Sequence, residues 1–357
     1  MHLLWNGEEI EVPGGLTVAA AGYAAGRLVL QRSRSLREPR GYFCGIGRCF
    51  SCAAVVDGVG RVLTCREPAR EGMRVEVLDG DPEPPTSVAG SPATQSIPSQ
   101  CDVLVIGGGP AGRSALQASR GRVVGITESA SPGFHCGTVY GYFDGTWAVL
   151  VGDRSAQITA KKTILCTGSS EAGEPFPGWT RPGIMTATGA RRLLAQGVKP
   201  GGRPLLHGVE PYLAWMASVL PAPTESTPIA AVEGRERVEA VTLADGRRVQ
   251  TDAVILCTPP EPHLELAQLA GAELFWTGDH HVPVFNRTLD TTVPGVFVAG
   301  GVAGAVTARQ AEMHGAIAAG ASGDWEAVLV EARAAGVEPV EPMAWVASRP
   351  TPSQWQR

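Results

Sequence analysis

The sequence predicts an α/β protein in two parts: a small strand-rich N-terminal domain holding a loop of cysteines, and a larger body with a parallel sheet. Three observations predict it. Four of the eight cysteines crowd into residues 44–65. Residues 81–100, DPEPPTSVAGSPATQSIPSQ, are rich in Pro and Ser with almost no large apolar side chains, the composition of a linker. From residue 102 onward, short apolar runs ending in turns alternate with helical stretches, the pattern of parallel strands joined by helices. The expected boundaries are residues 1–80, a linker over 81–100, a body over 101–330 and a Pro-rich tail over 331–357.

Within the first 80 residues, HLLWNGEEIEV reads as a hairpin turning at Asn6-Gly7, a dipeptide that supplies two positive φ angles. Residues 17–30 read as a short Ala-rich helix. After the cysteines, AAVVDGVGRVLTC reads as strand, turn and strand, and MRVEVLDG as a last strand. In the body, DVLVIGG, VVGITE, KTILCTG, AVILCTP and GVFVAGG read as strands, and ARQAEMHGAIAAGA as a helix. The ILCTG and ILCTP pair is an internal echo, as two related nucleotide-binding halves would leave.

Length and composition bound the function. A chain of 357 residues is expected to hold two or three domains. With 44% hydrophobic residues it can bury a sizeable core. A net charge of −5 argues against a general nucleic-acid binder. There is no run of 18 or more apolar residues, so no transmembrane segment is expected. The start, MHLLWNGEEIEV, lacks the basic and apolar regions of a secretory signal. The expected location is the cytoplasm, where partners can hold the chain at the periphery of the inner membrane. Thiols there stay reduced, so clustered cysteines read as metal ligands rather than disulfides.

The cysteine spacing is Cys44-x4-Cys49-x2-Cys52, with twelve residues between Cys52 and Cys65. This is the plant-type [2Fe–2S] spacing. Three thiolates on one tight loop wrap the cluster and a fourth arrives from a neighbouring strand. Gly45 and Gly47 let the loop curl and turn amide N–H groups toward the sulfurs, and Arg48 adds positive charge. A structural zinc also uses four cysteines, but zinc ribbons show two CxxC knuckles where this loop shows one.

In the body, Gly107-x-Gly109-x-x-Gly112 follows a strand and opens a helix, and Glu128 ends the next strand, 21 residues after Gly107. This is the dinucleotide fingerprint: a glycine for the turn, one for close approach of a pyrophosphate, one for helix packing, and an acid for a ribose hydroxyl. It predicts FAD or another adenine nucleotide.

The segments PRGYFCGIGRCFSCAAVVDG and REGMRVEV resemble the small ferredoxin-like component of hydrogen cyanide synthase, opine oxidase and related bacterial amine or amino-acid (proline, sarcosine) dehydrogenases. That resemblance implies a β-grasp fold for residues 1–80. TILCTGSSE, EPFPGWTRPGIMTATGARRLL and TTVPGVFVAGGVAG resemble the larger FAD-binding subunit of the same enzymes. They imply a Rossmann-like, glutathione-reductase-like FAD/NAD(P)-binding body, and flavin contacts at Thr167, Gly168, Gly300 and Gly301. The chain thus resembles the two components fused and shortened. It departs from the family in several places. The helix after Gly112 is about one turn short, and a GGQ segment is absent. In the second half Gly208 survives while Glu210 occupies the next glycine. Gly301 stands where the family usually has an Asp, and a cysteine-rich C-terminal module of some relatives is missing.

Other residues carry less. His280 and His281 are adjacent, and neighbours on a strand face opposite ways. Cys166 and Cys257 end apolar strands and are expected to pack as small hydrophobes. Arg27, Arg32, Arg34, Arg37 and Arg40 read as a solvated face or an electrostatic docking surface.

Three functions follow. The first is an electron-transfer subunit of a multi-subunit flavoprotein dehydrogenase or oxidase acting on an amine, imino acid or amino acid. Its expected partner is a catalytic flavoprotein subunit, because no general base or substrate motif is visible here. The second is a self-contained NAD(P)H-dependent reductase, which needs two working nucleotide sites. The third is a non-catalytic scaffold that carries only the cluster.

Overall fold

A computed structural model describes residues 1–79, 97–128, 131–152, 154–278 and 280–343. The expected linker, through residue 96, and residues 344–357 of the expected tail lie outside the described residues. The described α-helices are α1 (Val18–Ala24), α2 (Pro110–Ala118), α3 (Ala187–Ala195), α4 (Tyr212–Val219), α5 (Glu265–Leu269), α6 (Ala308–Ala319) and α7 (Trp325–Ala334). The chain divides into two compact units. One joins Met1–Val88 to Glu171–Pro259, and the other joins Ala89–Ser170 to Pro260–Arg357.

In the first unit, His2–Trp5 and Glu8–Glu11 form the expected hairpin, with Asn6 and Gly7 at φ 50° and 82°. Asp57 and Gly58 repeat that turn between Ala53–Val56 and Val59–Leu63. His2–Trp5 runs parallel to Arg74–Asp79, which also pairs with Gln31–Arg32 and Ala53–Val56. Thr17 caps α1 by accepting from the Ala20 N–H. The buried Val18–Gly22 face of α1 lies on the sheet, where a Cβ at Gly22 would sit 2.3 Å from the Trp5 ring. A mixed sheet closing over one helix is the β-grasp arrangement.

Residues 171–259 of this unit carry a parallel sheet ordered Ile184–Thr186, Ala253–Cys257, Pro204–Gly208, Thr224–Glu225. An antiparallel meander, Ile229–Glu233, Ala240–Leu243 and Arg248–Gln250, accompanies it. The β-grasp part is continuous with this half. Leu3, Trp5, Val18 and Met73 share one apolar core with Met185, Ala190, Leu193, Leu213 and Ile255. Cross-contacts fix the register. The Thr17 N–H donates to Gln196 Oε1 at 2.7 Å, and the Tyr23 hydroxyl to the Pro200 carbonyl at 3.1 Å.

In the second unit, Val123–Thr127, Gln100–Ile106, Arg154–Leu165 and Val296–Val298 are neighbouring parallel strands, as the sequence predicts. The same sheet also contains an antiparallel meander. Thr138–Phe143 pairs with Thr146–Val151, which pairs with the early part of Arg154–Leu165. Its sequence signal is Asp144-Gly145, whose φ angles of 47° and 80° make the hairpin turn. Helices α2 and α6 pack so closely that a Cβ on Gly315 would lie 2.1 Å from the Ala111 carbonyl oxygen. Helix α7 extends regular structure past residue 330, to Ala334.

Candidate cluster and dinucleotide sites

The cysteine loop follows Pro39–Arg40 and ends as Ala53–Val56 begins. Three of its residues adopt positive φ: Gly45, Gly47 and, unusually, Phe50 at 58°. A bulky side chain in that region is strained, yet Phe50 is largely exposed and its carbonyl accepts from Gln31 Nε2. The curl has the predicted result. The N–H groups of Ile46, Arg48 and Cys49 point at Cys44 Sγ, that of Ser51 at Cys49 and that of Gly47 at Cys65. The Cys49 N–H lies 3.4 Å from Cys44 Sγ.

All four sulfurs meet in this loop as free thiols, with Cys44, Cys52 and Cys65 buried and Cys49 half-buried. They meet as two pairs. The Cys49 thiol donates to Cys44 Sγ, and that bond, helped by the loop amides and opposed by burial, lowers the Cys44 pKa to about 5. The Cys65 thiol donates to Cys52 Sγ and holds Cys52 low in the same way. The two donors, Cys49 and Cys65, are pushed up by giving their protons to those bonds and by burial. Cys44 also interacts electrostatically with Cys52 and Cys65, so the pairs form one group. Among the described residues no three His, Cys, Asp or Glu side chains converge on a single ion. Four thiols in two adjacent pairs match a cluster of two irons held by four cysteines. The donor set therefore fits the [2Fe–2S] group.

The surroundings hold the loop still. The Thr64 hydroxyl donates to the Cys52 carbonyl at 2.6 Å. Arg66 lies across Gly47, where a Cβ would meet its Cδ at 2.3 Å. Beneath the loop, the Tyr42 hydroxyl donates to the Gly189 carbonyl at 3.1 Å and the Thr186 N–H to the Phe43 carbonyl at 3.2 Å. A Cβ on Gly189 would stand 2.2 Å from the Phe43 oxygen. Tyr42 and Gly189 escape sequence reasoning, because glycine–backbone contact between distant segments leaves no local pattern.

In the second unit the eight predicted nucleotide contacts lie just beyond the C-terminal ends of parallel strands, where open α/β sheets bind ligands. Gly107, Gly109 and Gly112 follow Gln100–Ile106, Glu128 follows Val123–Thr127, Thr167 and Gly168 follow Arg154–Leu165, and Gly300 and Gly301 follow Val296–Val298. Each fingerprint glycine has its own reason. At Gly107, φ is 111° and a Cβ would lie 2.1 Å from the Cys166 oxygen. At Gly112 a Cβ would lie 1.8 Å from the Gly107 oxygen. At Gly109, the N-cap of α2, a Cβ would meet nothing within 4 Å. No side chain caps α2, so its first N–H groups face that open space, the setting in which a helix terminus binds a pyrophosphate. The cradle fits an adenine dinucleotide.

The loop carrying Thr167 and Gly168 is locked by His263, a residue with no motif around it. Its backbone N–H donates to the Gly168 carbonyl at 2.9 Å. The Thr167 hydroxyl donates to the His263 carbonyl at 2.8 Å. His263 Nδ1 sits 2.8 Å from the Thr167 carbonyl, and Nε2 sits 2.8 Å from Ser170 Oγ. A carbonyl cannot donate, so Nδ1 carries the proton. Gly301 closes on the same loop, since a Cβ there would lie 2.5 Å from Ser169 Oγ. An Asp at 301 would require that loop to move.

The remaining expectations resolve simply. Cys166 and Cys257 are buried; burial pushes Cys166 up, and it pushes Cys257 up to about 12, with Glu171 and Glu210 adding to it. His281 opens the strand His281–Pro283 and packs on Trp276. Arg27 pairs with Glu8 at 2.6 Å, Arg32 with Glu236 at 2.7 Å, and Arg37 with Asp79. Among the described residues no helix is long and apolar enough to cross a membrane.

Comparisons with known proteins agree with this chemistry. Residues 1–80 match the 2Fe-2S iron-sulfur cluster binding domain family, and residues 224–323 match the pyridine nucleotide-disulphide oxidoreductase family. An opine oxidase subunit of Agrobacterium tumefaciens is 26% identical over 326 residues, covering 61% of this chain and 64% of that protein. Hydrogen cyanide synthase subunit HcnA of Pseudomonas aeruginosa is 36% identical over 76 residues, 21% of this chain and 70% of its own length. The chain therefore spans a little under two thirds of the opine oxidase subunit. Among solved structures, L-proline dehydrogenase from P. horikoshii shares the fold with a TM-score of 0.76 at 19% identity, over 95% of this chain and 78% of that one.

Proposed function

The chain joins a 2Fe-2S cluster binding domain to a pyridine nucleotide-disulphide oxidoreductase domain and is similar to subunits of opine oxidase and hydrogen cyanide synthase, and on that premise we infer that it is the electron-transfer subunit of a multi-subunit flavoprotein dehydrogenase or oxidase. In this reading the substrate is an amine, imino acid or amino acid, oxidised on a catalytic flavoprotein partner. Cys44, Cys49, Cys52 and Cys65 hold the [2Fe–2S] cluster. Gly107, Gly109, Gly112 and Glu128 hold FAD, with Thr167, Gly168, Gly300 and Gly301 closing on it. The cofactors supply reversible electron uptake; the protein supplies position and electrostatics.

What carries the reading is the pairing of the four thiols under a fan of backbone N–H groups. Those amides favour negative charge on the sulfurs, and so favour the reduced state. In the second unit, α2 presents its free N–H groups to a pyrophosphate, Gly109 leaves room for it, and His263 fixes the loop behind. Substrate chemistry is assigned to the partner because the sequence shows no general-base or substrate motif.

The test is purification of the tagged full chain with its native partners, followed by addition of proline, sarcosine and an opine in turn. Bleaching of flavin and cluster by one of these substrates, only when a second flavoprotein co-purifies, is the expected result. Equal bleaching of the isolated chain by NADH would replace this reading with a self-contained reductase.

A further inference from the structure

The two Rossmann-like halves of this chain can be superposed in sequence on their own fingerprints. In the second unit the turn reads Gly107-Gly108-Gly109-Pro110-Ala111-Gly112; in the first it reads Gly208-Val209-Glu210-Pro211-Tyr212-Leu213. The backbone agrees with that alignment. Gly107 follows Gln100–Ile106 and crowds the Cys166 carbonyl oxygen at 2.1 Å; Gly208 ends Pro204–Gly208 and crowds the Cys257 oxygen at 2.1 Å. Cys166 and Cys257 end the matching ILC segments of the neighbouring strands. The first glycine is therefore kept in both halves for the same steric reason.

The second and third glycines are not. Where Gly109 leaves open space before α2, Glu210 turns its carboxylate back onto α4: Glu210 Oε2 accepts from the Ala214 N–H at 3.2 Å. No other side chain caps α4. Where Gly112 lets α2 approach the turn, Leu213 buries its side chain in the core shared with the β-grasp part, and α4 begins one position later than α2. The same sheet edge gathers further acid. Glu171 accepts from the Thr188 N–H and hydroxyl through Oε1, while its buried Oε2 has no partner. His207, in the strand itself, pairs with Glu174 at 3.1 Å and leaves Nδ1 buried without a partner. Burial raises the Glu171 pKa, against hydrogen bonds from Thr188 and the charge of Arg191.

We propose that Glu210 closes the second dinucleotide seat of this chain: its carboxylate takes the place of a pyrophosphate at the N-terminus of α4, so residues 171–259 bind no nicotinamide dinucleotide and serve as the platform of the cluster domain. The proposal deepens the reading that a protein partner supplies the electrons, and its test needs no partner. A pyrophosphate entering here would face the Glu210 carboxylate, and like charges brought together on binding lower affinity steeply. The fold of the half is retained because its apolar core supports the β-grasp part, through α3 and α4.

Two arms test it on the full chain loaded with cluster and flavin. Titration with NADH and with NADPH, followed by calorimetry and by flavin absorbance, is expected to give no saturable binding and no bleaching. Gly109→Glu then puts the same carboxylate into the open seat. Its backbone φ of −71° and the empty space around the added Cβ leave folding unchallenged. Flavin affinity is expected to fall by about 100-fold or more, with the cluster spectrum unchanged and the far-UV circular dichroism retained. Micromolar saturable binding of NADH or NADPH to the loaded wild-type chain would overturn the proposal. So would full flavin retention by Gly109→Glu, because a carboxylate at this position would then not close the seat. If no substrate-oxidising partner is found, the relay reading fails while both arms remain readable.

Discussion

Protonation of His314 should set the acid stability of the second unit. This residue lies on α6 and is only 1% exposed. Both ring nitrogens are buried without a hydrogen-bond partner, and the ring is tilted against Trp325 at 5.2 Å. Burial lowers its pKa from 6.5 to about 4. Unfolded chain therefore binds a proton that folded chain refuses between those values, and stability falls as pH drops through the window. The full shift corresponds to about 3 kcal/mol, of which about 2 kcal/mol is lost between pH 7.5 and pH 5. Urea unfolding followed by tryptophan fluorescence, at both pH values, gives the assay. His314→Leu keeps the volume and removes the titration, so its loss over that interval should be smaller than the wild-type loss by about 2 kcal/mol. Equal losses in the two proteins would refute the reasoning.

Three more predictions concern the cluster, its platform and the dinucleotide seat. Gly189→Ala pushes a methyl group into the Phe43 carbonyl; it should destabilise the first unit by about 1–3 kcal/mol and speed iron loss to a chelator, read from the decay of visible absorbance. Phe50→Gly relieves a positive φ on an exposed side chain, so thermal unfolding should show a gain of about 0.5–1 kcal/mol with the cluster spectrum retained. Gly112→Ala and Gly109→Ala should separate: the first, with a Cβ 1.8 Å from the Gly107 oxygen, loses flavin and stability, while the second folds normally by circular dichroism.

The legible parts of this protein are those whose chemistry is local in sequence. The spacing of Cys44, Cys49 and Cys52 is set by one turn of chain around a cluster, and Gly107, Gly109 and Gly112 by one strand-to-helix turn, so both can be read before any fold is known. Asn6-Gly7 and Asp57-Gly58 mark their hairpins for the same reason. The antiparallel meander over 138–165 is equally local, through Asp144-Gly145, but an expectation of uniform strand–helix alternation does not contain it. What no local pattern carries is the joining of residues 1–79 to residues 171–259. That joining depends on Gly189 meeting Phe43, Gln196 meeting Thr17, and two stretches of ordinary apolar residues sharing a core. His263 is hidden likewise, since its partners Thr167, Gly168 and Ser170 stand more than ninety residues away. The glycine at 301 reads in sequence only as a departure from the family's Asp, and its approach to Ser169 shows the geometric reason a side chain is excluded.

Iron, acid-labile sulfide and zinc measured on the purified full chain and on its Cys44→Ser, Cys49→Ser, Cys52→Ser and Cys65→Ser variants test the central assignment most directly. The account predicts about two iron and two sulfide per wild-type chain, no zinc, and loss of the native cluster spectrum in every variant. Stoichiometric zinc without iron, or a variant that keeps the full wild-type iron, sulfide and spectrum, would contradict it.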